Sequence, residues 1–373
     1  MKVLKVLNIL VIVIIFFSLS EWAFPQSKDP IKLGSLSALT GVGSKMGQTQ
    51  RDGLIMVFDK INAAGGINGQ KIQLIIEDDQ LQPTVAVNAA KKLVYQDNVL
   101  LIFGTPNSPT SLAALEVTME AKVPQLVHGV APKITQMNNP WVVRFPTLDT
   151  IVARHLVDFA VNVKKLQKLA ILHDSTDYGK GGLASARDAL KKFKLEPILT
   201  ESFNNEDVDF SSQLNNIKKS RAEGLILWGL HVQSAQILNQ AKKLGLTLPI
   251  FGSTGILQGN FLELAKDADE GVFLACSFVL DNPDPKVQAF VKEYRERFKY
   301  DPTIVSALAY ESANLVVAAI KKVGPDRTRI MAELKSTKDY MGVTGRLTCD
   351  DKGDMGQDVH IVQIKSNKMV LIK

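Results

Sequence analysis

The first group of residues that could do chemistry is a glycine loop at 34–47, which reads GSLSALTGVGSKMG. It lies between a short apolar run and a helical pattern, where nucleotide-binding proteins place a phosphate loop. Gly41, Gly43 and Gly47 are spaced G-x-G-x-x-x-G, which is one residue longer than the dinucleotide fingerprint, and Lys45 is not in the G-K-[ST] arrangement of a P-loop. The spacing therefore argues against a nucleotide cofactor.

A second loop, GTPNSPT at 104–110, ends a strand-like run and opens a helical pattern. Free backbone N–H groups at the start of a helix favour an anion such as a carboxylate. Asn107 and Ser108 add an amide and a hydroxyl group to this loop. The alternative is that these two residues only cap the helix and bind no ligand.

The residues that catalysis or metal binding would need are not grouped along the chain. The sequence has no G-x-S-x-G elbow and no H-E-x-x-H motif, and its five histidines are scattered. HDSTD at 173–177 brings His, Asp and Ser together, but neighbours at a strand end need not assemble a triad. Cys276 and Cys349 lie far apart, and whether they pair stays open at this point. We expect no enzyme, no metal site and no cofactor.

Strand-like runs alternate with helical patterns along the chain, which predicts α/β halves with parallel sheets flanked by helices. The predicted strands lie at 31–36, 71–77, 100–104, 124–129, 169–174, 197–203, 224–230, 249–253, 271–279, 359–364 and 369–372. The predicted helices lie at 47–63, 83–96, 110–121, 149–163, 179–193, 209–220, 233–244, 258–266, 286–298 and 304–323. In such folds ligands bind at the carboxyl ends of strands and at domain junctions, so we expect a site between the two halves.

Residues 1–20 have the features of a secretory signal peptide. Lys2 and Lys5 precede a short apolar run, and small residues support a cut after Ser20, with a cut after Ala23 as the alternative. An uncleaved membrane anchor is the other interpretation, although the run is short for a membrane span. No cysteine lies near the cut, so we expect an exported, periplasmic protein without a lipid anchor.

Composition and charge fit a large globular protein. The 373 residues are 46% hydrophobic and 22% charged, which is enough material for two cores. Losing Lys2 and Lys5 with the leader would lower the formal net charge from +6 to +4. The remaining lysine pairs recur in or after helical patterns, as on solvated faces and helix C-termini. We therefore expect no nucleic-acid partner.

Several stretches resemble the leucine/isoleucine/valine-binding-protein family, the periplasmic solute-binding components of ABC importers. They are IKLGSLSALTGVGSKMGQTQRDGL, INAAGGINGQKIQLIIEDDQLQP, VPQLVHGVAPKIT, LAILHDSTDYGKG and ALAYESANL. The resemblance implies the type I periplasmic-binding fold, with two doubly wound parallel-sheet lobes joined by three crossover segments near 147–149, 276–278 and 356–362. The implied boundaries are 28–148 plus 278–356 for lobe I, and 149–277 plus 357–373 for lobe II. It also implies a small-molecule ligand and an ABC importer membrane permease as partners, and we expect a monomer.

The resemblance also implies which lobe I residues contact the ligand. The glycine loop becomes the first ligand-facing loop, and Met46 falls where amino-acid-binding members carry an aromatic wall, with a place in the core as the equal alternative. The 104–110 loop becomes the carboxylate site, which we assign to Thr105, Asn107 and Ser108. In the next loop, HGVAP, the family places backbone amides and a hydroxyl. The implied contacts there are His128, Gly129 and Val130.

The side chains at two of these lobe I positions affect how a carboxylate could be bound. Val130 occupies the hydroxyl position, so that hydroxyl is missing. His128 can donate to a carboxylate, or it can be purely structural.

In lobe II, Tyr178 matches an aromatic residue that closes over the ligand, and its alternative is a surface tyrosine packed on its own helix. Leu230, with His231 beside it, replaces an aromatic residue of members that hold an amino group. Thr254 stands where amino-acid binders put a carboxylate, and threonine cannot pair with an ammonium group.

We therefore expect a carboxylate ligand with an apolar aliphatic or aromatic body and no α-amino group. A branched-chain amino acid held by Asn107, His128, His231 or Asp149 stays open. A soluble sensor that presents its cargo to a membrane receptor is a further alternative. We do not expect a repressor, because the N-terminus lacks a DNA-binding helix pair, or a receptor ectodomain, because the sequence ends at Lys373.

Overall fold

The computed structural model describes residues 29–257 and 260–372, so the predicted signal peptide lies outside the described residues. The strands are β1 Ile31–Ser37, β2 Ile72–Asp78, β3 Ile102–Phe103, β4 Gln125–Val127, β5 Val142–Arg144, β6 Leu169–Asp174, β7 Leu199–Phe203, β8 Gly224–Trp228, β9 Ile250–Gly252, β10 Phe273–Cys276, β11 Tyr340–Gly342, β12 Gly345–Cys349, β13 Met355–Gly356, β14 His360–Lys365 and β15 Lys368–Leu371. The α-helices are α1 Ser44–Ala63, α2 Pro83–Lys91, α3 Ser108–Glu120, α4 Lys133–Gln136, α5 Asp149–Asp158, α6 Asp177–Lys191, α7 Ser211–Lys219, α8 His231–Lys243, α9 Phe261–Ala265, α10 Pro285–Phe298, α11 Ile304–Val323 and α12 Arg327–Lys335.

The sheet of lobe I has five parallel strands in the order β2-β1-β3-β4-β5. In this order the connections turn to opposite sides after β1 and after β3. The loops that follow these two strands therefore separate and leave a crevice at the carboxyl edge of the sheet. The glycine loop follows β1 and the 104–110 loop follows β3, so both candidate segments lie at this crevice.

The sheet of lobe II repeats this arrangement. Its strands run β15-β14-β10-β9-β8-β6-β7, with β6 to β10 parallel and β14 and β15 antiparallel at one edge. The equivalent switch point lies between β6 and β8. The loops after these strands lead into α6 and α8, which carry Tyr178 and His231.

The helices that follow lobe II return to the core of lobe I. Phe278, Val287 and Phe290 pack in the same buried cluster as Leu33 and Phe103. The helix α11 is long and apolar enough to cross a membrane, but 78% of its most apolar window is buried inside the protein. The chain consequently passes between the two large sheets three times.

Two of these passages are fastened to each other. Arg144 Nε lies 2.7 Å from Asp354 Oδ1 in a buried ion pair. Gln357 Nε2 donates to the carbonyl oxygen of Phe145 at 2.6 Å, and Thr147 Oγ1 donates to Gln357 Oε1 at 3.2 Å. The passages after β5 and after β13 therefore run side by side.

Some elements differ from the sequence-based expectation. The strand β5 and the small sheet β11-β12-β13 were not predicted, because each strand has only two to five residues and shows no clear periodicity. The nine-residue helix α12 was not predicted either. The small sheet is held by a distant residue, since Glu311 Oε2 accepts the N–H of Val343 at 2.6 Å. Cys276 and Cys349 are both free and buried, the first in the lobe II core and the second in the lobe I core.

Candidate ligand-binding site between the lobes

Two neighbouring cavities lie between loops of the two lobes. The first has a volume of about 300 Å³, and its walls include Ser108, Val130 and Tyr178. The second has a volume of about 530 Å³, and its walls include Val42 and His231. The residues that line both cavities are Leu81, Gln82, Asn107, Asn205, Glu206 and Leu230. Volumes of this size suit a small organic ligand.

The hydroxyl of Ser108 has one hydrogen left to donate. Ser108 Oγ accepts the N–H groups of Val130 at 3.2 Å and Ala131 at 3.0 Å. Both lone pairs are thus occupied, and the O–H finds no acceptor among the described residues. Because Ser108 lines the first cavity, this O–H is available to a ligand.

The start of α3 leaves one backbone donor for the same ligand. Asn107 Oδ1 accepts the N–H of Thr110 at 3.1 Å, and the carbonyl of Asn107 accepts that of Ser111 at 3.2 Å. Pro109 has no N–H. Within the described residues the N–H of Ser108 therefore has no partner. A carboxylate in the first cavity can accept from both donors of Ser108.

Thr105 supports this loop from inside and does not line either cavity. It is fully buried, and its hydroxyl lies 2.6 Å from that of Thr110 and 2.9 Å from that of Ser111. It also donates to the carbonyl oxygen of Asn107 at 2.9 Å. These contacts fix the shape of the 104–110 loop, so the contribution of Thr105 to the site is indirect.

His128 belongs to the interior of lobe I. Its Nδ1 lies 3.1 Å from Gln50 Oε1 and its Nε2 lies 3.3 Å from Ser312 Oγ, so both ring nitrogens have partners. Burial lowers the pKa of His128 to about 3, which keeps the ring neutral. His128 lines neither cavity, and this position favours the structural interpretation over a ligand contact.

The neighbouring positions shape the first cavity. A Cβ at Gly129 would lie 2.9 Å from the carbonyl oxygen of Asn107, so this position needs glycine. Val130 is buried in one apolar cluster with Tyr178 of lobe II. Arg144 Nη1 donates to the carbonyl oxygens of Val130 and Ala131 at 2.8 and 2.6 Å, which joins this loop to the first passage between the lobes.

Tyr178 is fixed within lobe II and not free on the surface of its helix. Its hydroxyl donates to Ser253 Oγ at 2.7 Å and accepts the N–H of Gly255 at 3.1 Å. Burial raises the pKa of Tyr178 well above its usual range, so the phenol stays protonated. Tyr178 lines the first cavity with a preorganised ring.

Like Thr105 and His128, the predicted contacts Met46 and Thr254 line neither cavity. Met46 is fully buried in the apolar core of lobe I, which agrees with the core alternative. Thr254 is also buried, and its hydroxyl has no partner among the described residues. Neither side chain lines the cavities, whereas Leu230 lines both of them.

The glycine loop is held by an acidic residue at the end of β2. Asp78 accepts the N–H of Leu39 at 2.8 Å and the hydroxyl of Thr40 at 2.5 Å. Gly41, with φ of +74°, turns the backbone so that residues 40–42 line the second cavity. Asp78 therefore has a clear structural use in positioning this loop.

Sequence reasoning missed four residues that line both cavities. Leu81 and Gln82 follow β2, whereas Asn205 and Glu206 follow β7. These strands lie beside β1 and β6 in their sheets, so their loops open at the same edges as the predicted contact loops. That adjacency is the signal that could have found them. Glu206 is exposed and is the one formally charged side chain among the described residues that line the two cavities.

A buried acidic residue lies at the first passage between the lobes. Neither carboxylate oxygen of Asp149 has a hydrogen-bond partner in the described part of the chain. Burial raises its pKa well above the usual range; the nearby charge of Arg144 opposes this shift and that of Asp174 adds to it. Asp149 lines neither cavity.

Known proteins with similar sequences or folds support the two-lobe architecture. Residues 30–368 match the family model described as "Periplasmic binding protein". The leucine-, isoleucine-, valine-, threonine- and alanine-binding protein of Pseudomonas aeruginosa is 27% identical over 335 residues, which covers 89% of each chain. The crystal structure of the branched-chain amino acid transporter substrate binding protein LivJ from Streptococcus pneumoniae, in complex with isoleucine, is 25% identical. It has a TM-score of 0.85 and covers 92% of this chain and 100% of that one.

A further solved structure shares the fold alone. The solute binding protein of an ABC transporter from R. palustris, in complex with benzoate, is 21% identical with a TM-score of 0.85, and the match covers 92% of this chain and 95% of that one. The relatives are solute-binding proteins and not enzymes. With its two α/β lobes and the match over residues 30–368, the chain belongs to the periplasmic binding protein family of leucine/isoleucine/valine-binding type.

Proposed function

We propose that this protein is the extracytoplasmic solute-binding component of an ABC importer of the branched-chain-amino-acid type. We further propose that it binds a small carboxylate between the lobes and closes on it by hinge motion. The observation that carries this proposal is Ser108, whose N–H and O–H are both unpaired among the described residues at the wall of a cavity.

The carboxylate needs no cationic side chain in this arrangement. A helix start and a hydroxyl supply aligned donors in a partly dry site, where hydrogen bonds to a charged group are strong. Val130, Tyr178 and Leu230 add apolar surface around the remainder of the ligand. These features support an aliphatic or aromatic acid.

The lack of a buried carboxylate partner for an α-amino group, among the described residues of the cavity walls, argues for the same ligand class. Apart from the exposed Glu206, the described residues that line the two cavities offer no carboxylate to an ammonium group, and a buried ammonium group without a partner is costly. The family resemblance implies the same, since Thr254 and Val130 replace a carboxylate and a hydroxyl of amino-acid binders. The benzoate complex of the R. palustris protein is an example of this fold with an acid that has no amino group. We therefore favour a carboxylate without an α-amino group.

One observation favours a second candidate. Glu206 lines both cavities and could pair with the ammonium group of a branched-chain amino acid. Its side chain is exposed, and an ion pair between exposed groups contributes only about 0–1 kcal/mol. We therefore rank an amino-acid ligand second.

We also propose where the protein is located and where its two lobes divide. We propose export with removal of residues 1–20, because the matched relatives belong to a periplasmic family. We also propose that the lobes divide at the predicted boundaries and act as two bodies joined by the three passages. Contacts such as those of Gln357 with Phe145 and Thr147 would then form part of the hinge.

A thermal-shift panel with benzoate, 4-methylpentanoate and leucine tests the proposed ligand class. A ligand that binds only the folded form raises the melting temperature by mass action. We expect one of the two plain acids to give a larger shift than leucine. A larger shift with leucine would contradict the preference for a plain acid. If the leucine shift then disappeared in the variant Glu206→Gln, the second candidate, an amino acid paired with Glu206, would be supported. No shift with any of the three at millimolar concentration would contradict the ligand class.

A further inference from the structure

The ring of His231 lacks the hydrogen-bond partners that a buried imidazole normally has. It is the first residue of α8, is only 2% exposed, and neither Nδ1 nor Nε2 has a partner among the described residues. Leaving a buried polar group unpaired costs free energy, so such a group in a native protein needs an explanation. His231 lines the second cavity, which suggests that a ligand supplies the partner.

A second unpaired atom lies on the same walls. Asn205 Oδ1 is buried and has no partner within the described residues, and Asn205 lines both cavities. The loop is held in place because Gln233 Nε2 donates to the carbonyl oxygen of Asn205 at 2.6 Å. The site therefore offers one unpaired amide acceptor, on a backbone that is held in place, in addition to the imidazole.

The charge of the site favours an uncharged ligand group. Burial lowers the pKa of His231 to about 4, so its ring is neutral near pH 7 and offers one donor and one acceptor. Gln80, Gln82 and Gln233 add neutral amides to the second cavity. The carboxylate of Glu206 would repel a second anion there. A hydroxyl, which both donates and accepts, matches this set of groups.

The size and connection of the cavities allow one ligand to reach both anchors. The second cavity is larger than the first, at about 530 Å³ against about 300 Å³. Asn107 and Leu230 line both, so an apolar body held at Ser108 can continue past Leu230 toward His231. The polar end of such a ligand would meet the two unpaired side chains.

We propose that His231 and Asn205 form a distal subsite that selects carboxylates bearing a hydroxyl group at the end opposite the carboxylate. This inference rests on the proposed function, since Ser108 holds the carboxylate end. It adds a specificity element of lobe II to the carboxylate site of lobe I.

Isothermal titration with matched acids tests the subsite. The first pair is benzoate with 4-hydroxybenzoate, and the second is 3-phenylpropanoate with 3-(4-hydroxyphenyl)propanoate. The second pair has the longer distance between the carboxylate and the hydroxyl group. Terephthalate tests a second anion. The wild-type protein should bind the hydroxylated member of at least one pair about tenfold or more tightly than its plain partner, and terephthalate more weakly than that member.

The variant His231→Leu should reduce this preference to threefold or less while the affinity for the plain acid stays within about threefold. His360→Leu is the control, because His360 lies on β14 and lines neither cavity. The free His231→Leu protein should melt at the same or a higher temperature than the wild type, since an unpaired buried polar group is removed. Asn205→Ala provides a second variant in a partly exposed loop, and should also weaken the preference.

The outcomes separate the two proposals. If none of the five acids binds, the proposed ligand class and the subsite are both wrong. If plain acids bind and the wild type shows no preference in either pair, only the subsite is wrong. Tighter binding of terephthalate, or a preference that survives in His231→Leu, would also overturn the subsite.

Discussion

Replacement of Ser108 by alanine tests the centre of the proposed site. The variant removes the O–H that is free to donate to a ligand carboxylate but keeps the N–H of residue 108 at the start of α3. A hydrogen bond to a charged group contributes about 1.5–3 kcal/mol, so affinity for a carboxylate should fall roughly 10- to 150-fold. Binding should weaken without disappearing, because the backbone donor remains.

The same change should lower the stability of the free protein. Ser108 Oγ accepts two backbone N–H groups, from Val130 and Ala131, and the alanine variant leaves both without this acceptor. An unmade hydrogen bond of a buried group costs about 1–3 kcal/mol, and water in the cavity can replace part of it. We therefore expect a loss of about 1–3 kcal/mol in the free energy of unfolding.

Isothermal titration with the plain acid that gives the larger thermal shift measures the affinity, and urea denaturation measures the stability. Ser185→Ala is the matched control, because Ser185 is a buried helical serine that donates to the carbonyl oxygen of Gly181 at 2.9 Å and lines neither cavity. The control should keep wild-type affinity. A folded Ser108→Ala protein that binds the acid within about twofold of the wild type would refute the assignment of the carboxylate to this loop.

Four further predictions concern specificity, pH dependence, motion and export. Thr254 lines neither cavity, so Thr254→Glu tests whether closure of the lobes brings residue 254 to the ligand, as the family resemblance implies; the new carboxylate should then pair with an ammonium group and narrow the preference for 4-methylpentanoate over leucine. An unchanged ratio of dissociation constants in a folded variant would contradict this. Burial raises the pKa of Glu311 from 4.5 to about 7, so the folded state favours the protonated acid, and the free energy of unfolding should fall as the pH rises from about 4.5 to 7. This contribution is on the order of 3 kcal/mol, and urea titrations of Glu311→Gln should show a correspondingly flatter profile, whereas an equal slope would speak against it. X-ray scattering should give a smaller radius of gyration with saturating benzoate or 4-methylpentanoate than without it, and an equal radius at proven saturation would exclude closure. In a Gram-negative host the chain should be recovered from the periplasm with a new N-terminus near Glu21 or Phe24, and an intact Met1 in the membrane fraction would be inconsistent with export.

The order of strands and helices could be predicted because its signals are local. The hydrophobic patterns of β1, β6, β8 and α11 lie within single segments, so they can be recognised without knowledge of the fold. Alternating elements then imply parallel sheets, and the loops after strands near the switch points become the candidate contacts. Asn107, Ser108 and Tyr178, which line the first cavity, were predicted in this way, with the family resemblance. Elements of two to five residues, such as β5 and β13, carry too little pattern to be recognised.

The sequence by itself therefore determined the α/β architecture and indicated the loops that we propose form the ligand site. Only the tertiary structure decided which side chains in those loops are free to meet a ligand. His128 and His231 both follow a strand at its carboxyl end, yet His128 finds partners in Gln50 and Ser312, which lie 78 and 184 residues away. His231 finds no partner among the described residues and lines a cavity. The reason is that a hydrogen bond depends on distances between elements, and residues far apart in the chain set those distances only when the lobes are folded.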